Sequence, residues 1–161
     1  MSEADLRERA LALFQEAYAH QVQKDLDEAI RLYQESLAVY PTAEAHTFLG
    51  WTYSFQGRLD DAIAECHKAI AVDPDFGNPY NDIGVYLIER GDLDGAVPWL
   101  ERAKQAPRYE PRHFPYMNLG RVYLRRGQWR EALCELEAAA RLAPSDPGAR
   151  RMLHEIRARF N

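Results

Sequence analysis

One six-residue phrase occurs four times in this sequence, and that repetition constrains the fold more than any other feature. The copies read KDLDEA, GRLDDA, GDLDGA and GQWREA, and they end at Ala29, Ala62, Ala96 and Ala132. The intervals between these alanines are 33, 34 and 36 residues. A period of this length is typical of a protein that stacks one supersecondary unit on the next.

Small residues recur in phase with the phrase and indicate that each unit is a pair of closely packed helices. Helices approach closely only where side chains are small. Glycines at 57, 91 and 127 suit the left-handed residue that ends a helix, and prolines at 41, 74, 107 and 144 suit the end of each unit. The small residues lie twelve positions before and seven after each repeated alanine: Ala17, Gly50, Gly84 and Gly120; Ser36, Ala69, Ala103 and Ala139.

This pattern resembles the tetratricopeptide repeat (TPR) family. The segments YNDIGVYLIERGDLDGA and YMNLGRVYLRRGQWREA match it best, whereas the first unit has Glu16, His20 and Lys24 where the family has leucine, an aromatic residue and glycine. The resemblance implies an all-α fold, a right-handed superhelical solenoid of antiparallel helix hairpins with about nine helices and no strands.

The sequence predicts a single domain over residues 1–161. Its repeats span about 10–42, 43–76, 77–112 and 113–146, and a capping helix follows at 147–160. Asp146 and Pro147 are suited to the start of that helix. An apolar stripe would cover the open end of the last repeat, with members Met152, Leu153, Ile156 and Phe160.

The family places the second, fifth, ninth, twelfth and thirteenth residues of each repeat in a concave groove. Large aromatic residues there are suited to anchoring a partner, although Phe14 and Phe55 could instead pack within or between repeats. Asparagines could bond a peptide backbone, and arginines could receive an acidic side chain or C-terminal carboxylate. The predicted groove residues are Phe14, Tyr18, Gln21, Thr47, Trp51, Ser54, Phe55, Asn78, Asn81, Val85, Ile88, Met117, Arg121 and Arg125.

The predicted function is a non-catalytic interaction module that binds a peptide or helical segment of a partner protein, including an acidic segment at its arginines. One alternative is a secretion-type TPR chaperone. Another is a self-associating scaffold, because residues 1–80 carry net charge −8 and residues 81–161 carry +3. The fifth positions contain no lysine, which disfavours the carboxylate clamp of TPR proteins that hold chaperone tails. We expect a monomer or a weak homodimer.

The segment RYEPRHFPY, Arg108–Tyr116, has the polar composition of a reacting centre but connects the third and fourth units, in an interval that is two residues longer than the one before it. No nucleophile motif, phosphate loop or metal spacing accompanies it, so we predict neither an enzyme nor a cofactor. The hypothesis for this connector is a lip beside the groove, with Arg108 or Arg112 touching the partner.

Bulk properties narrow the class of partner and the location. A net charge of −5 disfavours nucleic acid, and no apolar run approaches the roughly 18 residues of a membrane span. Cys66 and Cys134 are predicted to be small hydrophobic residues rather than a disulfide. The first residues lack the apolar core of a signal peptide, so we expect a cytoplasmic protein.

Overall fold

The computed structural model describes residues 1–161 and contains nine helices and no strand. The predicted all-α fold is therefore confirmed. The helices are α1 (Glu3–Val22), α2 (Leu26–Val39), α3 (Ala43–Phe55), α4 (Leu59–Val72), α5 (Asn78–Arg90), α6 (Leu93–Gln105), α7 (His113–Arg125), α8 (Trp129–Leu142) and α9 (Pro147–Arg157).

Consecutive helices pair as hairpins, α1 with α2 through α7 with α8, and each hairpin packs on the next. The repeated phrase supplies the core, because the residue four positions after each repeated alanine is fully buried: Tyr33, Cys66, Leu100 and Leu136. A Cβ added to Gly84 would lie 2.5 Å from Leu100 Cδ2, and one added to Gly120 would lie 2.7 Å from Leu136 Cδ2. The in-phase glycines thus mark the points where the two helices of a hairpin come closest.

The turns inside the last three hairpins have the predicted left-handed glycine, with φ of 74° at Gly57, 88° at Gly91 and 71° at Gly127. In the first hairpin Lys24 takes the same conformation, with φ of 63°. A side chain is disfavoured there because its Cβ crowds the backbone. The turn geometry is thus the same in all four units, even where the glycine is missing.

The two ends of the solenoid are capped by side chains. Ser2 and Asp5 form a reciprocal capping box that starts α1 at Glu3, seven residues before the predicted first repeat. Asp146 accepts a 2.8 Å hydrogen bond from the Ala149 amide and so starts α9, as predicted. Ile156 of α9 packs in one cluster with Leu136 of α8, which closes the core at this end.

One side of the solenoid is formed by the first helices of the hairpins, α1, α3, α5 and α7, here called the inner helices. Neighbouring inner helices contact each other, α1 with α3, α3 with α5 and α5 with α7. The second helices, α2, α4, α6 and α8, form no comparable series of contacts with each other. Elements on the inside of a curve are closer together, so the inner helices line the concave face. None of the nine helices combines the length and the apolar character required to cross a membrane.

Candidate functional site

An exposed aromatic cluster occupies the N-terminal half of the concave face. It consists of Phe14, Tyr18, Phe48, Trp51 and Phe55, which come from α1 and α3. Phe48 lies at its centre, with ring centroids 5.2 Å from Phe14, 5.7 Å from Tyr18 and 5.8 Å from Trp51. These contacts are edge-to-face, the geometry that aromatic quadrupoles favour. The cluster therefore holds its own rings in place before any partner arrives.

Several rings of this cluster remain open to solvent. The exposed fraction is 44% for Tyr18, 40% for Trp51 and 57% for Phe55. Phe14 is more enclosed, because it also packs 5.6 Å from Tyr33 of α2. Exposed aromatic side chains grouped in this way, rather than scattered singly, are typical of an interaction surface.

Trp51 separates two pockets on this face. The N-terminal pocket has a volume of about 370 Å³ and is mainly apolar, with walls from Gln21, Val22, Lys24, Leu26, Trp51 and Phe55. The central pocket has a volume of about 250 Å³ and combines aromatic with polar walls, from Thr47, Phe48, Trp51, Asn78, Asn81, Asp82, Tyr109, Pro111 and Phe114. Both pockets are concave sites beside rigid helices, where ligands and peptide side chains are commonly bound.

A chain of polar side chains continues from the central pocket towards the C-terminal half of the face. Asn118 Nδ2 donates a 2.9 Å hydrogen bond to Asn81 Oδ1, and an Arg121 terminal nitrogen donates a 3.1 Å bond to Asn118 Oδ1. We call Asn81, Asn118 and Arg121 the amide ladder. Arg125 lies beside it, with a terminal nitrogen 3.5 Å from the Ile88 carbonyl oxygen. The bond to Asn118 orients Arg121 and uses only one of its guanidinium N–H groups, so most of these donors remain open to an acceptor.

Asp82 supplies the only carboxylate among the residues that line the central pocket. It forms no salt bridge with any lysine, arginine or histidine, and only the Asn81 amide favours its charged form. Burial raises the pKa of the Asp82 carboxyl to about 7, because transfer from water into the pocket penalises the charge. An ionisable group held this way is typical of a functional position.

The connector forms a wall of the central pocket through Tyr109, Pro111 and Phe114. Tyr109 is buried, and a Cβ on Gly77 would lie 2.5 Å from its ring, so the ring occupies the space that Gly77 leaves. The backbone is also fixed, since the Gly77 amide donates to the Arg108 carbonyl at 2.9 Å. The connector is therefore a packed part of the solenoid.

The two arginines of the connector already have partners within the chain. Arg108 bonds Glu44 at 3.0 Å and Asp73 at 2.6 Å, and its guanidinium lies over the Phe76 ring. Arg112 donates to the carbonyls of Ala106 and Pro107 at 2.9 and 3.0 Å. These contacts stabilise the connector, which contributes aromatic rings rather than arginines to the pocket.

The fourteen predicted groove residues divide into four groups. Tyr18, Trp51 and Phe55 are exposed in the aromatic cluster, and Arg121 and Arg125 are exposed farther along the face. The buried polar residues that line the pockets are Gln21, Thr47 and Asn81. Gln21 accepts a hydrogen bond from the Tyr33 hydroxyl at 2.6 Å, and Thr47 donates one to the Ala43 carbonyl at 2.7 Å. The partly buried members are Phe14, Ser54, Asn78 and Val85, and those buried away from both pockets are Ile88 and Met117.

Three groove residues were not predicted: Phe48, Asp82 and Asn118. All three occupy the sixth position of their repeat, and two of them contact the fifth-position residue of the preceding repeat, Phe48 with Phe14 and Asn118 with Asn81. The sequence gives no periodic signal for them, because the sixth position holds a different residue in each repeat, namely Gln15, Phe48, Asp82 and Asn118. Their role depends on how one repeat stacks on the next.

Family comparison covers most of the chain. The family model described as tetratricopeptide repeat matches residues 14–75, 49–111 and 117–159. The overlap of the first two matches shows that consecutive hairpins fit the same model in different registers.

Solved structures with the same architecture include those of PilF, PilW and YrrB. The structure of PilF from Pseudomonas aeruginosa is 24% identical, with a TM-score of 0.87 over 96% of this chain and 70% of that one. PilW, a widely conserved type IV pilus biogenesis factor, is 20% identical, with a TM-score of 0.83 over 92% and 69%. YrrB, a TPR protein with an unusual peptide-binding site, is 20% identical, with a TM-score of 0.67 over 94% and 77%. At these identities the likeness concerns the fold alone.

Proposed function

The chain belongs to the tetratricopeptide repeat family, and on that premise we propose that it is an adaptor which binds an extended or helical segment of a partner protein in its concave groove. Proteins of this family are generally interaction modules rather than enzymes, and we propose no catalytic role. The observation that carries the proposal is the exposed aromatic cluster between two pockets. Exposed, preorganised rings are the side chains that most often dominate binding energy.

The groove has a distinct recognition chemistry at each end. Apolar side chains of the partner would enter the N-terminal pocket, and an acidic side chain or C-terminal carboxylate would pair with Arg121 and Arg125. Asn78 would bond the partner's backbone without demanding a particular sequence. We place this partner in the cytoplasm, following the sequence prediction.

The test is a pull-down from native cell extract with three forms of the protein. They are wild type, the Tyr18→Ala/Trp51→Ala double variant, and a Trp129→Ala control. Trp129 is matched to Trp51 in type and exposure, at 38% against 40%, but belongs to α8 rather than to an inner helix. We expect the double variant to lose the partner, by about 30-fold or more in affinity if it removes one hot spot of about 2 kcal/mol.

The control separates groove binding from a general loss of surface tryptophan. Trp129→Ala should retain the partner, and circular dichroism should show all three forms folded. A partner held equally by wild type and the double variant would reject the groove as the binding site.

Self-association is a second candidate, favoured by the charge difference between residues 1–80 and 81–161. Because the repeats stack in chain order, these charges lie towards opposite ends of the solenoid and could pair between copies. Sedimentation at low and high salt tests this: dimers that dissociate with added salt would support it, and a monomer at low salt would exclude it. PilF and PilW resemble this chain in fold alone, so they do not support the alternative of a secretion-type chaperone.

A further inference from the structure

We propose that the central pocket binds a single cationic side chain, lysine or arginine, of the partner segment. This inference rests on the proposed groove function and specifies the chemistry of one of its subsites. The observation behind it is the juxtaposition of one unpaired carboxylate with four aromatic walls.

The carboxylate has no cation of its own. The pocket is lined by no lysine, arginine or histidine. The groups whose pKa the Asp82 charge raises are Cys66 from α4, Tyr86 from α5 itself and Tyr109 from the connector, and none of these is a cation at neutral pH. The side chains from α3 and α7 that line the pocket are not ionisable. A ligand cation would supply the missing countercharge.

The aromatic walls favour the same ligand. Phe48, Trp51, Tyr109 and Phe114 surround the pocket, and an aromatic ring presents negative charge on its face. Tryptophan is the strongest partner for a cation among these rings. The flexible stem of lysine or arginine would meanwhile bury its methylene groups against them.

The size of the pocket limits the ligand to one side chain. A volume of about 250 Å³ lies below the roughly 300–1,000 Å³ of typical small-molecule sites and is suited to one long side chain. The two neighbouring subsites have different chemistry, since the N-terminal pocket is apolar and contains Lys24, while Arg121 and Arg125 attract an anion. The partner segment should therefore carry its basic residue between an apolar residue and an acidic group.

The test uses three blocked pentapeptides with the sequence Ala-Ala-X-Ala-Ala, in which X is lysine, norleucine or glutamate. Each is titrated into ¹⁵N-labelled protein at pH 8, and binding is read from the Trp51 indole N–H and the Asn118 side-chain amide. The lysine peptide should bind about tenfold more tightly than the norleucine peptide. Its affinity should fall by about tenfold from pH 8 to pH 6, because Asp82 with a pKa of about 7 then takes up a proton.

Two variants make the result specific to the carboxylate. Asp82→Asn should abolish both the lysine preference and its pH dependence. Glu89→Gln removes the same charge from an exposed position of the same helix and should leave both unchanged.

The inference is overturned by any of three results. These are equal binding of lysine and norleucine, a lysine preference that survives in Asp82→Asn, and no shift of the Trp51 indole with any peptide. If Tyr18→Ala/Trp51→Ala loses the native partner while Asp82→Asn retains full affinity, the groove function stands and only the cation subsite fails.

Discussion

At the scale of single residues, the unpaired carboxylate of Asp82 lowers the stability of the folded protein, which is consistent with a role in binding. Burial raises the pKa of this carboxyl to about 7. Between about pH 4 and pH 7 the folded state therefore holds a proton that the unfolded chain has already released. The contribution of this group to the free energy of unfolding therefore falls as pH rises through that window. A carboxylate without a countercharge is retained here against stability, as at many functional sites.

Asp82→Asn should stabilise the protein at pH 8 by about 1–3 kcal/mol, since it removes a partly buried charge without a countercharge from the folded state. The gain should shrink as pH falls and vanish near pH 4, where both forms are neutral. Urea unfolding at a series of pH values measures it, with Glu89→Gln as a control expected to change stability by less than about 0.5 kcal/mol. A loss of stability in Asp82→Asn at pH 8 would mean that the carboxylate is already paired.

Lys24 gives a second prediction at this scale, because it adopts the left-handed conformation that glycine occupies in the other hairpins. Lys24→Gly should raise the free energy of unfolding by about 0.5–1 kcal/mol. The reciprocal change Gly91→Lys should lower it by a similar amount, since nothing lies within 4 Å of a Cβ at Gly91 and only backbone strain is added. Thermal or urea unfolding compares the two, and an unchanged Gly91→Lys midpoint would refute the strain argument.

At the scale of elements, one of the contacts that hold the connector is the steric fit between Gly77 and Tyr109. Gly77 has φ of −79° and ψ of −26°, which any residue can adopt, so Gly77→Ala tests the contact and not the backbone. It should destabilise the protein by about 1–3 kcal/mol through overpacking against the Tyr109 ring. In a Tyr109→Gly background, which also removes the Tyr109 Cβ that would lie 2.6 Å from the added methyl group, the same change should cost almost nothing, and additive costs in this double-mutant cycle would contradict the fit.

The elements differ in how far the sequence predicted them. Hairpins, turn glycines and the α9 cap follow from local chemistry that repeats in phase, so they were predictable. The connector was not, because its conformation depends on Tyr109 reaching Gly77 some thirty residues earlier in the chain. The sixth-position residues Phe48, Asp82 and Asn118 were missed for a related reason, since they act across the boundary between repeats.

At the scale of the whole molecule, the hairpins form one continuous stack from α1 to α9. We predict that residues 1–161 unfold as one cooperative unit, including the capping helix. Ile156→Ala should then lower the global free energy of unfolding by about 2–4 kcal/mol, because Ile156 is 1% exposed in the last core cluster. Hydrogen exchange that shows only local opening of α9, with the rest of the chain unaffected, would contradict this prediction.

The central claim is that the concave face of the inner helices receives the partner. A photo-crosslinking benzoylphenylalanine in place of Phe55 tests it most directly, because that ring is 57% exposed beside the N-terminal pocket. The matched control places the same group at Leu142, which is 50% exposed on α8. We predict that in living cells the Phe55 probe captures a discrete partner, that Tyr18→Ala/Trp51→Ala abolishes this capture, and that the Leu142 probe captures none. Capture of the same partner from Leu142 alone, or capture from Phe55 that survives the double variant, would contradict the account.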